Sequence, residues 1–307
     1  QSMSPDGPTY DYIIVGSGIA GLYTALLAHE QGRVLVLTKA SLDECNTKYA
    51  QGGIAAAVGP GDSPDLHFQD TMTAGAGLSD PAAARILVEE GPDRIADLAR
   101  IGVPFDTVYG DLALTLEAAH SRARVIHAGG DATGKHIEIT LSNAARASRR
   151  ITILEYTLAT DILLENGVAV GIRARDLRIG RHQEYRGRNV ILATGGCGRL
   201  FRYTTNPEVA TGDGVVLAYR AGARLADMEF FQFHPTALHL PGAPPFLISE
   251  AVRGEGGRLL NVQGRPFMAD YSPEGDLAPR DVVARALVWE MEKTGADHVL
   301  LDVTHLP

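Results

Sequence analysis

At 307 residues the chain is long enough for one large domain or two ordinary ones. Its 45% apolar and 21% charged residues give an ordinary soluble, globular balance. The 28 basic and 37 acidic side chains leave a net charge of −9, which disfavours nucleic acid or an anionic membrane as a partner. Two cysteines, Cys45 and Cys197, form no C-x-x-C or metal-ligand spacing, so no metal is expected and a reducing, cytoplasmic setting fits. No apolar run approaches the length that spans a bilayer. The start Gln1-Ser2-Met3-Ser4-Pro5 is short, polar and without a basic leader; it predicts no signal peptide, and Gln1-Ser2 ahead of Met3 reads as a cloning addition.

The first predicted element is a short β-rich apolar run from Tyr10 to Val15, which breaks at Gly16-Ser17-Gly18. From Ile19 to Gln31, Leu22, Leu26 and Leu27 recur at helical spacing, and Val34 to Leu37 is a fully apolar run suited to a central parallel strand. Strand, glycine turn, helix and strand in that order predict a right-handed βαβ unit. Asn46 to Gly59, rich in Gly and Ala, reads as a close-packed loop and helix. Asp80-Pro81 opens a long amphipathic helix, because Asp can cap and Pro suits the first helical position.

Thr133 to Ala147 reads as a further helix and Ile151 to Tyr156 as a strand. Leu158 to Glu165 and Val168 to Asp176 flank Asn166-Gly167, the signal of a tight hairpin. Val190 to Thr194 returns as a buried strand ending in Gly195-Gly196, and Thr211-Gly212-Asp213-Gly214 precedes a helix through Ala221. Past Met228 the texture changes to Pro- and Gly-rich loops, with one helix starting near Pro279-Arg280-Asp281. Domains at 1–228 and 229–307 are therefore expected.

Gly16-x-Gly18-x-x-Gly21 lies between a predicted strand and a predicted helix. There the first glycine permits a tight turn, the second lets a pyrophosphate approach the backbone, and the third allows close helix–strand packing. The helix N-terminus adds free N–H groups and a positive dipole end. An NAD-type unit would end its second strand in an acidic residue, whereas this strand ends in Thr38-Lys39. Lys39 either meets a phosphate or is a solvated surface lysine. The order of later features favours FAD: a hairpin sheet inserted before a returning strand, and Ala193-Thr194-Gly195-Gly196 closing that strand. Asp213 follows at a helix start, where it binds a ribityl hydroxyl or acts as an N-cap.

With these residues in hand, the chain resembles the succinate dehydrogenase / fumarate reductase flavoprotein family, from Tyr12 to the last residue. The resemblance rests on residues 16–21, on Asn46-Thr47-Lys48-Tyr49-Ala50-Gln51-Gly52-Gly53-Ile54-Ala55 and on His127-Ala128-x-x-Asp131-Ala132-Thr133-Gly134. It continues through Tyr203-Thr204-Thr205-Asn206-Pro207, Gln232-Phe233-His234-Pro235-Thr236, Arg253-Gly254-Glu255-Gly256 and Leu277-Ala278-Pro279-Arg280-Asp281. It implies an α/β, Rossmann-like FAD-binding domain with an inserted β-hairpin sheet, plus the beginning of an α+β capping domain.

The resemblance also implies contacts to FAD from Gly16, Ser17, Gly18, Ile19, Ala20, Gly21, Lys39, Asn46, Thr47, Lys48, Tyr49, Ala50, Gln51, Gly52, Gly53 and Asp213. Membrane-bound members carry a histidine joined to flavin where this chain has Asn46; asparagine cannot form that bond, so noncovalent FAD is expected. The implied substrate is a C4 dicarboxylate with an α-amino group, oxidised from L-aspartate to iminoaspartate with O2 or fumarate as acceptor. That is the first step of quinolinate and NAD synthesis, with a hand-off to quinolinate synthase. A soluble fumarate-reducing or succinate-oxidising relative is the alternative.

Gln232, His234 and Ser249 match substrate-binding positions, Arg280 the family's proton-transferring arginine, and Glu250 with Arg253 its relay. Three residues apart, those two would sit side by side on a helical turn. Glu117 matches the residue that meets the substrate ammonium, the group that distinguishes aspartate from succinate. Its surroundings depart from the family pattern, since Leu116-Glu117-Ala118-Ala119-His120 replaces a more usual Arg-Glu-Gly-Gly-His. By the same resemblance the family continues past the position of Pro307, so the 307-residue species is expected to hold FAD weakly and turn over no aspartate.

Overall fold

A computed structural model describes residues 9–306. The reading of Gln1 to Pro5 and the final Pro307 lie outside the described residues. Backbone contacts divide the chain into two compact units.

The first unit comprises residues up to Ala50, Ile101–Val103 and Gly134–Met228. Its elements are β1 (Tyr10–Val15), α1 (Ile19–Ala28), β2 (Val34–Leu37), α2 (Thr133–Ala147), β3 (Ile151–Leu154), β4 (Thr157–Glu165), β5 (Val168–Asp176), β6 (His182–Leu192) and α3 (Asp213–Arg220). All six strands form one sheet in the order β3-β2-β1-β6-β5-β4. The first two strands are parallel neighbours, with Ile13 opposite Leu35; β3 also runs parallel to β2, and β6 parallel to β1. The parallel part is apolar because both faces are covered: Ile13, Val34, Leu35, Val36 and Leu37 are fully buried.

β5 and β4 add antiparallel strands beyond β6. Their turn residues Asn166 and Gly167 both take positive φ (51° and 78°), as the Asn-Gly pair requires. The returning strand is longer than the sequence suggests, starting at His182 rather than Val190. Its first half alternates exposed polar side chains along the hairpin, which hides it from a search for apolar runs. The unit's core gathers Tyr10, Ile13, Val15, Leu35, Leu37, Ile172 and Leu217.

The second unit comprises Gln51–Arg100, Pro104–Thr133 and the described residues from Glu229 onward. Asp80 accepts the N–H groups of Ala82 and Ala83 (2.8 and 3.0 Å) at the start of the long Pro81–Ile101 helix. The Pro64–Ala74 helix was not anticipated, although Ser63 caps it by accepting from Leu66 N–H at 3.2 Å and Pro64 opens it. Asn46 to Gly59 holds only one 3-10 turn (Asn46–Tyr49) and a two-residue strand (Ile54–Ala55), not a longer helix. The reason is packing: a Cβ on Gly53 would sit 2.3 Å from the Ile126 carbonyl, so the chain runs there as the partner of Val125–Ile126. The Arg280–Thr294 helix packs Val283, Ala286 and Leu287 onto Leu259, Phe267, Met268 and Ala278.

Candidate functional site

The glycine turn behaves as its spacing demands. Gly16 takes φ +111°, and a Cβ there would lie 2.1 Å from the Ala193 carbonyl; a Cβ on Gly21 would lie 2.0 Å from the Gly16 carbonyl. Only glycines allow β1, α1 and the end of β6 to meet so closely. Ser17 is buried and donates to Thr38 Oγ1 at 3.0 Å, tying the turn to the end of β2. Beside this turn is a cavity of about 360 Å³ lined by residues 15–20, 37–39, 44–47, 157–159 and 192–195, with Val209, Ala210, Asp213 and Leu217.

The N-terminus of α1 opens on it, offering backbone N–H groups of a first turn that has no earlier carbonyls to bond. Ile19 N–H is taken by Thr47 Oγ1 at 3.0 Å, which fixes the 3-10 turn against the helix end. Lys39 is paired with Asp213 and hydrogen-bonded to Thr211. Asp213 is the first residue of α3, not its cap; Gly212 takes the cap position at φ +77°. Asp213 is thus an acidic acceptor on the cavity wall. A glycine cradle, a helix N-terminus and a carboxylate beside an apolar wall form the donor and acceptor set that a flavin dinucleotide requires.

Of the positions expected to hold FAD, Gly16 to Ala20, Lys39, Asn46, Thr47 and Asp213 line this cavity. Gly21 lies beneath it as packing. The Lys48 ammonium is directed to Asp43 (2.6 Å) and the Tyr49 hydroxyl to Glu44 (2.9 Å). Gln51, Gly52 and Gly53 belong to the second unit, where Gln51 Nε2 donates to the Leu247 carbonyl (3.1 Å) while its buried Oε1 has no partner among the described residues.

Sequence reasoning missed a buried group behind the 3-10 turn. Glu138 on α2 is fully buried, accepting from Cys45 Sγ and from Ser142 Oγ, each at 3.1 Å. Burial pushes its carboxyl up to about 7, against the opposing effect of those two hydrogen bonds. Burial, then the neighbouring Glu138 charge, pushes the Cys45 thiol up to about 12, so the thiol stays protonated and donates. Gly134 completes the support: its N–H donates to the Ala50 carbonyl at 3.0 Å, and a Cβ would lie 1.9 Å from the Thr47 carbonyl. A lone acid at a core-facing position of a predicted helix was the available signal.

In the second unit Glu250 is the hub of a charged network. One carboxylate oxygen accepts from Arg253 Nη2 and the other from Arg280 Nε, both at 2.8 Å. Arg280, the first residue of its helix, also donates to Gln232 Oε1 at 3.2 Å. Arg253 is 2% exposed and donates to the Asp276 carbonyl, while its Nε has no partner among the described residues. Burial alone would raise the Glu250 carboxyl, but the Arg280 charge and hydrogen bond, with Arg253, hold it below the usual carboxylate range. The placement of a cation at a helix start, unfavourable for the dipole, is offset by this carboxylate.

His234 accepts the Thr236 N–H at Nδ1 (3.2 Å). Burial, then the Arg280 charge, lowers its pKa to about 4. At neutral pH the ring is therefore uncharged, and with Nδ1 accepting, the proton resides on Nε2. Ser249 Oγ accepts from Ala251 N–H at 3.3 Å. Glu117 stands 3.4 Å from His127 Nε2, which also lies 2.9 Å from Thr115 Oγ1. The loop between them is anchored by fully buried Arg124, which pairs with Asp62 (2.9 Å) and Asp70. Ser121 adds two 2.8 Å hydrogen bonds to Asp70.

The FAD binding domain family model matches residues 11–307. The chain is 49% identical over 304 residues to an L-aspartate oxidase of Nostoc sp., covering 97% of this chain and 52% of the relative. It is 48% identical to an L-aspartate oxidase of Streptomyces coelicolor, covering 96% and 52%. A solved structure of E. coli quinol fumarate reductase FrdA superposes with a TM-score of 0.90 at 32% identity, covering 98% of this chain and 54% of that one. The chain thus spans about half the length of the curated relatives it matches. The glycine turn, the parallel sheet around it and the extent of the match together assign the chain to the FAD binding domain family, with FAD as its cofactor.

Proposed function

We propose that the protein to which this chain contributes is an L-aspartate oxidase, with residues 1–228 as the FAD-binding part and 229–307 as the start of a capping domain. The observation that carries the reading is the Gln232–Arg280–Glu250–Arg253 network beside His234, in a chain similar to enzymes named for that reaction. FAD, when bound, supplies the acceptor for the hydride leaving the aspartate α-carbon. The chain's own residues hold the substrate and manage protons. His234, neutral and protonated on Nε2, donates to a substrate carboxylate without adding charge. Gln232 and Ser249 add neutral hydrogen bonds nearby. Glu117 pairs with the substrate ammonium, which succinate lacks.

Arg280 is the proton-transferring group in this reading. A guanidinium has a pKa above about 12 and is a poor free base. It passes a proton only if a neighbour takes part at once, and Glu250, held ionised at 2.8 Å, is that neighbour. Arg253 fixes the other carboxylate oxygen, so Glu250 stays aimed at Arg280. Release of iminoaspartate to quinolinate synthase and a cytoplasmic location belong to the same proposal. Among the described residues, no helix is long and apolar enough to cross a membrane.

The test is anaerobic mixing of the full-length FAD-loaded protein with aspartate or succinate. Aspartate should bleach the oxidised flavin, and Glu117→Gln should lose most of that response. A second reading, a soluble fumarate-reducing or succinate-oxidising enzyme, is favoured by the likeness to quinol fumarate reductase. Flavin bleaching by succinate and not by aspartate would decide for it.

A further inference from the structure

Away from both clusters, His239, Asp297 and His298 bring three ligand-type side chains together at the surface of the second unit. His298 lies just past the Arg280–Thr294 helix, whose end is capped by Gly295 at φ 66°. His239 follows Leu238, whose N–H donates to the Phe246 carbonyl at 2.7 Å. That short ladder continues through Ile248 N–H to the Thr236 carbonyl at 3.0 Å. The ladder is thus flanked by His234 on one side and Ser249 on the other.

His298 Nδ1 is 2.8 Å from Asp297 Oδ1, and His239 Nε2 is 3.6 Å from Asp297 Oδ2. One ligand atom of each residue lies within 4.8 Å of the other two. The two imidazoles stack at 14° with centroids 5.7 Å apart. Around a tetrahedral ion with bonds of about 2.1 Å, ligand atoms stand roughly 3.4 Å apart, and two ligating imidazoles have centroids roughly 5 Å apart. The two carboxylate–imidazole distances, 2.8 and 3.6 Å, bracket the first value, while the ring centroids at 5.7 Å stand wider than the second, an adjustment that rotation of these surface side chains can make.

Two imidazole nitrogens and one carboxylate suit borderline transition-metal ions, whereas Ca²⁺ and Mg²⁺ take all-oxygen sets. Three protein ligands leave a fourth position for water. We propose that His239, Asp297 and His298 form a site for a divalent transition-metal ion of the Zn²⁺ class. The ion joins the 236–248 ladder to the end of the helix that begins with Arg280, so its occupancy stiffens the segment flanked by His234 and Ser249.

The test uses the full-length FAD-loaded protein, stripped of metal by a chelator and titrated with Zn²⁺ in competition with a chromogenic chelator. One tight equivalent is expected, weakened at least tenfold in His239→Ala and in His298→Ala, with Asp297→Asn as a third variant of small structural cost. Hydrogen exchange across residues 236–248 should slow on Zn²⁺ addition in the wild type and not in the histidine variants. Binding that survives all three substitutions unchanged, or no binding by the wild type, overturns the site. Binding with no change in exchange overturns its stiffening role. Neither result depends on which dicarboxylate the enzyme oxidises.

Discussion

Glu138 shows how one buried carboxyl links pH to the flavin cavity. Its folded pKa, about 7, lies above the 4.5 of an unfolded glutamate. Between those values the unfolded chain releases a proton that the folded chain keeps, so folding stability falls as pH rises from about 4.5 to about 7 and then levels off. A shift of that size corresponds to an effect on the order of 3 kcal/mol. Glu138→Gln keeps the acceptor for Cys45 or Ser142 while removing the charge. In the full-length protein, the melting temperature of Glu138→Gln relative to wild type should rise across that pH window. A difference that stays constant with pH would show that Glu138 does not titrate there.

Ala119 is a second residue whose cost is visible. It takes φ +64°, in the left-handed region where a Cβ is unfavourable by about 1–2 kcal/mol. Glycine there relieves that strain but gains freedom in the unfolded chain, worth about 0.4–1 kcal/mol against it. Ala119→Gly should therefore stabilise the full-length protein slightly, by about 0.5–1 kcal/mol, measured by chemical denaturation. The sequence showed that alanines replace glycines beside Glu117. It could not show that only the second of them bears the strained conformation. Greater stability with weaker aspartate binding would mean that the stiff loop holds Glu117 in place; a destabilised variant would contradict the account of strain.

At the scale of elements, the βαβ unit and the Asn-Gly hairpin were legible because local chemistry alone specifies them: uninterrupted apolar strands, three glycines and a two-residue turn. The long capped helix and Thr133–Ala147 were legible from caps and period. The Pro64–Ala74 helix was not, because only His67 among its residues is buried and no clear apolar stripe marks it. Glu138, the one acid of Thr133–Ala147, was passed over because helical period can mark its face as inward but not what a buried carboxyl there pairs with: Cys45 lies 93 positions away in sequence. The support that α2 gives to the 46–50 segment is testable at Gly134. A Cβ would lie 1.9 Å from the Thr47 carbonyl and 2.8 Å from the Ala50 Cβ, so Gly134→Ala must push the segment off the helix. FAD affinity of the full-length variant, read by flavin fluorescence on release, should fall at least tenfold while far-UV circular dichroism is retained. Unchanged affinity would mean that the segment's position does not govern the cofactor.

At the scale of the whole chain, residues 51–100 and 104–133 group with residues beyond 228, although they precede most of the hairpin sheet in sequence. Contacts between segments so far apart leave no local pattern, whereas the change of texture near Met228 does. The exposed apolar side chains carry a further consequence. Leu200, Tyr203 and Tyr219 in the first unit are 75%, 70% and 69% exposed, and Phe230, Leu240 and Phe246 in the second are each more than half exposed. Apolar surface on that scale ordinarily meets another segment or a partner, and the relatives are about twice as long as this chain. The 307-residue chain prepared alone should therefore bind a hydrophobic dye more strongly than the full-length protein does. It should also retain less than a tenth of the FAD through gel filtration and release no peroxide with aspartate. A yellow, dye-silent 307-residue chain with steady turnover would show that the flavin cavity and the charged network around Glu250 need nothing beyond these residues.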